Sequence, residues 1–109
     1  MVKGKLEMRT LFHPKMEDIR VSEIFHALSD PTRLDIVRSL LLDPSANCST
    51  LYPDMPKSTR SHHFRILRES GLTSVEVVGT SHRTTLRRAE LDSRFPGLLD
   101  AVAKATDPV

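Results

Sequence analysis

Lys57-Ser58-Thr59-Arg60-Ser61-His62-His63-Phe64-Arg65-Ile66-Leu67-Arg68-Glu69-Ser70-Gly71-Leu72 is the stretch on which the fold turns. Its spacing predicts a helix over about Lys57–Ser70. Phe64 and Leu67, with position 60, mark one face, and Ser58, Ser61, His62 and Arg65 fall on the opposite one. Gly71 closes it, because glycine enters the left-handed conformation that ends helices without a Cβ penalty. Past Gly71 the periodicity changes. Thr73–Val78 and Thr84-Thr85-Leu86 are rich in β-branched residues, and the five residues Gly79–Arg83 between them suit a hairpin.

Working outward toward the N-terminus, Asp54-Met55-Pro56 reads as a tight turn, and Cys48–Tyr52 has room only for a short helix before Pro53. Asn47 stands where it would cap that helix. Further back, Leu34, Val37, Leu40 and Leu41 predict a helix that ends near Asp43-Pro44. It starts at Asp30-Pro31, a capping carboxylate followed by a proline whose missing N–H costs nothing at the first helical position. Val21, Ile24, Phe25 and Leu28 predict a helix from Glu17 to about Leu28. Residues 1–16 show no helical period and form an arm expected to be loosely held unless it packs on a partner. Beyond the hairpin, Leu91, Phe95, Leu98, Leu99 and Val102 place a helix over Glu90–Ala105, with Pro96-Gly97 starting its main part. The order is helix, helix, short helix, turn, longer helix, hairpin, helix. That is a winged helix-turn-helix, mainly α with a small β-hairpin, occupying residues 17–105.

Length and composition fit one domain: 109 residues, 39% hydrophobic. No run approaches the roughly 18 apolar residues of a membrane span, and the start, Met1-Val2-Lys3-Gly4-Lys5-Leu6-Glu7, lacks the apolar core of a signal peptide. A lone cysteine, Cys48, excludes an internal disulfide and suits a reducing compartment, so a cytoplasmic protein is expected. Net charge is only +2, but residues 57–88 hold seven Lys and Arg against two Glu, a local +5 that leaves −3 for the rest. Concentrated positive charge favours a nucleic-acid partner.

Two segments resemble a known family. Ala27-Leu28-Ser29-Asp30-Pro31-Thr32-Arg33-Leu34-Asp35-Ile36-Val37 is similar to the opening signature of ArsR-type bacterial regulators, and Lys57–Leu72 is similar to their recognition helix. The resemblance extends over about residues 17–102, in the family's order. It implies a dimeric winged-helix repressor that sets recognition helix and wing against double-stranded DNA and releases it when a metal, oxidant or small molecule is sensed.

The residues support such a face. Lys57, Ser58, Thr59 and Ser61 suit phosphate contacts near a helix start, where free N–H groups attract anions. Arg65 is the best base reader, since its fork matches guanine O6 and N7, and His62 can read a base or bond a phosphate. His82 and Arg83 stand at the expected wing tip. Arg60 falls on the inward face, so either its stem snorkels toward phosphate or the helix starts later. His62 and His63 point about 100° apart on a helix and cannot readily chelate one ion; His63 is read as a packing or hydrogen-bonding residue, and His26, beside an apolar stripe, as structural.

Dimerisation is expected through the N- and C-terminal helices, at Phe25, Leu98, Leu99 and Val102, on a near-palindromic operator. No cofactor is expected. The family's usual metal sites, paired cysteines or Asp and His on the last helix, have no counterpart here, which leaves as the alternative a site assembled from His13, His26 and carboxylates across the dimer. Cys48, if it heads the short helix, is a candidate oxidant sensor, because helix N-termini lower thiol pKa; its other reading is a semi-buried small apolar residue filling a gap, and a small-molecule inducer is then expected. No nucleophile or acid–base constellation points to an enzyme. The competing reading is a winged-helix module for protein–protein contact, which needs neither the basic stretch nor the serine-rich helix start.

Overall fold

The computed structural model describes residues 11–46 and 51–107. A 3-10 turn at Met16–Asp18 precedes α1 (Val21–Leu28), α2 (Pro31–Leu42), α3 (Lys57–Ser70), β1 (Thr73–Val78), β2 (Ser81–Leu86), α4 (Arg88–Arg94) and α5 (Leu98–Lys104). This is the winged helix-turn-helix expected from the sequence. Ile24 and Ala27 of α1, Ile36, Val37 and Leu40 of α2, and Phe64 and Leu67 of α3 meet Leu72, Leu91 and Leu99 in one core. No helix among the described residues is long and apolar enough to cross a membrane.

The α1–α2 corner sets the angle of the helices beneath α3. Asp30 Oδ2 accepts the Arg33 N–H at 3.0 Å, so the predicted cap forms with Pro31 behind it in the first turn. That backbone N–H, ahead of all other influences, holds the Asp30 carboxyl below the usual carboxylate range. Arg33 is 7% exposed. Its Nε donates to the Ala27 carbonyl at 2.7 Å, one of the acceptors that the end of α1 leaves without a helical partner. Its Nη1 lies 3.4 Å from Nδ1 of His63 on α3. His63 therefore has the packing and hydrogen-bonding place expected of it.

Several expectations need correction. The helix from Glu17 is broken: Ile19 and Arg20 are extended, and α1 starts at Val21. A continuous helix would pair the Ile19 carbonyl with the Glu23 N–H, but Arg94 Nη1 takes that carbonyl at 2.8 Å and Glu23 bonds Arg20 instead. The last helix is likewise two, because Gly97 takes φ 85° behind Pro96, which has no N–H to donate. The hairpin loop is two residues, Gly79-Thr80, rather than five, and β2 begins at Ser81. Gly79 has φ 62° and no non-glycine described residue has positive φ, the pattern of a type II′ turn whose twist suits paired strands. His26 is exposed rather than packed.

The arm is also different from expectation over its described part. Arg68 Nε donates to the Phe12 carbonyl at 3.0 Å, Arg87 Nη1 to that of Pro14 at 2.7 Å, and the Val75 N–H to His13 Nε2 at 2.9 Å. Residues 11–16 thus lie against their own domain. Asn47, Cys48, Ser49 and Thr50 lie outside the described residues, and with them the capping and sensor readings; Leu51 is helical and half-buried.

Candidate nucleic-acid interface

The interface begins at the turn before α3. Tyr52 joins two helices there: its hydroxyl donates to the Asp35 carboxylate of α2, and its carbonyl accepts from Arg60 Nη1 at 3.1 Å. Burial, then the Asp35 contact, pushes the Tyr52 phenol well above its ordinary pKa, so it stays a donor. Met55 N–H closes the turn on the same carbonyl at 3.3 Å. Arg60 is half-buried, with its Nη1 turned toward the turn while the residue also lines the groove beside α3. The helix does start at Lys57, which removes the reading of a later start, and the guanidinium bonds the Tyr52 carbonyl through its Nη1.

Pro56 supplies no side-chain cap, and the first helical bond runs from the Arg60 N–H to the Pro56 carbonyl at 3.0 Å. The N–H groups of Lys57, Ser58 and Thr59 have no partner within the helix, so the positive end of a 14-residue helix faces outward. Lys57, Ser58, Thr59, Ser61, His62 and Arg65 are all exposed. Ser61, Arg65 and Arg68 follow at helical spacing and form one stripe.

A groove separates this stripe from the hairpin. Lys57, Ser58, Arg60, Ser61, His62, Arg65 and Arg68 line one wall, and Val75, Thr80, Ser81, His82 and Thr84 the other, with Leu11 entering from the arm. No carboxylate among the described residues lines it. Strand alternation divides the two wing residues. His82, opposite Val77, faces the groove with Thr84, whereas Arg83, opposite Glu76, lies on the other face of the hairpin. Both are exposed. The structure thus gathers His62, Arg65 and His82 around one groove and leaves Arg83 at the outer edge of the wing. Sequence reasoning missed Arg68, Thr80 and Ser81 as groove residues. The seven-residue step from Ser61 to Arg68 carried the signal for the first.

Of the expected dimer residues, Phe25 is 55% exposed, Leu98 and Val102 are half-buried, and Leu99 is 1% exposed. Leu99 is corrected to a core residue of its own protomer, since α5 lies on α2 and α4. Arg38 secures that packing, donating from Nε to the Val102 carbonyl at 3.1 Å and from Nη2 to that of Ala105. Val21, 41% exposed and one turn before Phe25, extends the apolar stripe of α1. As for a metal, His13 is engaged by the Val75 amide, and no group of three His, Cys, Asp or Glu among the described residues could hold an ion.

Comparison with known proteins agrees with this geometry. The model of the arsR family of bacterial regulatory proteins matches residues 30–75, from the cap of α2 into β1. An uncharacterized HTH-type transcriptional regulator of Bacillus subtilis, YceK, is 33% identical over 84 residues, covering 74% of this chain and 84% of the relative. A second regulator so described, MJ1325 of Methanocaldococcus jannaschii, is 35% identical over 63 residues, 56% of this chain and 71% of its own length. With its winged helix-turn-helix and its basic groove, the chain belongs to the arsR family of bacterial regulatory proteins and is a DNA-binding transcription regulator.

Proposed function

We propose that the protein is a cytoplasmic homodimeric repressor whose residues 17–105 carry both DNA-binding and dimer contacts. The observation that carries the reading is the exposed stripe of α3, with N–H groups at its start that have no partner within the helix, and no acid among the described residues of the groove beside it. In this reading Lys57, Ser58, Thr59, Arg60 and Ser61 hold phosphates, Arg65 and His62 read bases in the major groove, and His82 and Arg83 bracket the flanking backbone. Footprinting on the protein's own upstream region tests it, with repression assayed from the same fragment. A small molecule or an oxidant acting at Cys48 is the proposed inducer class.

Arg65→Ala is expected to weaken operator binding by about 1–3 kcal/mol and to relax base preference at one position. Arg83→Ala should weaken binding evenly across sequences and reduce its salt dependence. An Arg65→Ala/Arg83→Ala protein that binds like wild type refutes the assigned face.

The dimer is proposed to form through the Val21–Phe25 stripe of α1, with Leu98 and Val102 of α5. It would set two recognition helices about 34 Å apart on half-sites one turn apart. Phe25→Glu should convert dimer to monomer in light scattering at little cost to the fold, because this ring is mostly exposed within one protomer. A wild type that is monomeric at micromolar concentration, or a Phe25→Glu protein still dimeric, contradicts this arrangement.

A further inference from the structure

We propose that His13 is a positioning residue for the wing: as a neutral imidazole it ties the arm to β1 and so holds the hairpin at a fixed distance from α3, and protonation undoes the tie. Its consequence at DNA rests on the function proposed above; the tie itself does not.

The connection runs through a short series of contacts. Arg68, on the groove side of α3, donates from Nε to the Phe12 carbonyl at 3.0 Å. The next residue, His13, accepts the Val75 N–H at Nε2, 2.9 Å away. Val75 pairs with Thr84 on the groove face of the hairpin. Helix and wing, the two walls of the groove, are thus bridged by two adjacent arm residues. Among the described residues His13 makes the only polar contact between arm and strand; the other arm bonds go to Arg68 of α3, to Arg87 after β2 and to Arg94 of α4.

The tie demands one protonation state. His13 accepts the Val75 N–H at Nε2. A ring nitrogen that accepts an N–H carries no proton, so the tied imidazole is neutral. A proton added at Nε2 would place N–H against N–H. The new cation would also stand near Arg68 and Arg87, the charged groups that face the ring from α3 and from the segment after β2. Burial first, and those two arginines with it, hold the His13 pKa below the ordinary histidine value. The tied form binds fewer protons than the untied one, so the tie is at full strength above about pH 6.5 and is lost as pH falls through the depressed pKa.

Hydrogen exchange of the Val75 amide in wild type, His13→Gln and His13→Leu, from pH 8 to pH 5, measures the tie, and the 15N shifts of the His13 ring follow its titration. His13→Leu should exchange Val75 roughly threefold to tenfold faster at neutral pH, the factor that one lost hydrogen bond supplies. His13→Gln keeps an acceptor that does not titrate. Wild-type protection should fall toward that of His13→Leu as the ring protonates, while protection in His13→Gln, corrected for intrinsic exchange, stays level. Protection in wild type that ignores pH, or that equals His13→Leu throughout, overturns the tie. Binding to a duplex from the upstream region gives the second arm, with the wild-type Kd expected to rise relative to that of His13→Gln on acidification. His62 and His82 are common to both proteins and cancel in this ratio. A titrating Val75 with an unchanged ratio overturns the positioning role. A wild type that binds no duplex at all defeats the DNA reading, and Val75 exchange still decides the tie.

Discussion

Replacing Gly71 with alanine is expected to lower the unfolding free energy by about 2–4 kcal/mol, from a left-handed backbone penalty and overpacking acting together. Gly71 has φ 94° and ends α3. Its N–H bonds the Arg68 carbonyl at 3.1 Å, and the Leu72 N–H reaches back to Leu67 at 3.1 Å, which together form a complete Schellman closure. The accompanying apolar contact is between Leu67 and Leu72, both fully buried. Space is the second constraint, because a Cβ at Gly71 would overlap the Ile19 side chain, itself 2% exposed. Ile19 cannot swing into solvent without opening the core and disturbing the arm. Gly79 provides the control. It too has positive φ, but a Cβ there meets nothing within 4 Å, so Gly79→Ala pays only the backbone cost of roughly 1–2 kcal/mol. Thermal unfolding should place the Gly71→Ala midpoint about 10–25 °C below wild type. A fall no greater than that of Gly79→Ala would show that Ile19 gives way freely.

The same glycine shows why the fold was largely legible. Gly71 follows a helical run with one apolar face and precedes β-branched residues, so local chemistry and global topology agree there. Asp30-Pro31 is legible for the same reason, since cap and proline both act within one turn. Elements set by distant partners were not. The break at Ile19 depends on Arg94, some 75 residues away, and the arm's path depends on Arg68 and Arg87. Ser81-His82-Arg83 read as loop because all three side chains are exposed, which leaves no burial alternation to mark a strand. Within the candidate site, Ser58, Ser61, His62 and Arg65 could be placed on one face by periodicity alone. Arg60 could not, because its inward position makes sense only once the Tyr52 carbonyl is seen beside it. Leu99 was misassigned for a related reason: apolar surplus on a helix does not say whether its own domain or a second copy covers it.

Arg33→Ala should destabilise the protein by about 2–4 kcal/mol, through an unsatisfied buried carbonyl and lost side-chain packing. Ordinary surface arginines cost far less to remove, but this one is 7% exposed and stands at a three-helix junction. Its Nε caps the end of α1 through Ala27, its backbone N–H is capped by Asp30 at the start of α2, and its Nη1 approaches His63 of α3. A cation suits this place, since the carbonyl end of α1 carries partial negative charge. Arg33→Met separates the contributions: it keeps an apolar stem of similar reach but leaves the Ala27 carbonyl without its donor, for an expected loss of about 1–3 kcal/mol. Denaturant unfolding at one fixed protein concentration measures both, so that any dimer contributes equally. The consequence reaches DNA through His63, which sits in α3 on the side away from the exposed stripe. Under conditions where Arg33→Met remains folded, its recognition helix has lost a contact to α2, and operator affinity should fall although no DNA-facing side chain has changed. If both variants unfold within about 0.5 kcal/mol of wild type, the range of a neutral surface substitution, Arg33 is not the junction residue that its burial and bonds describe.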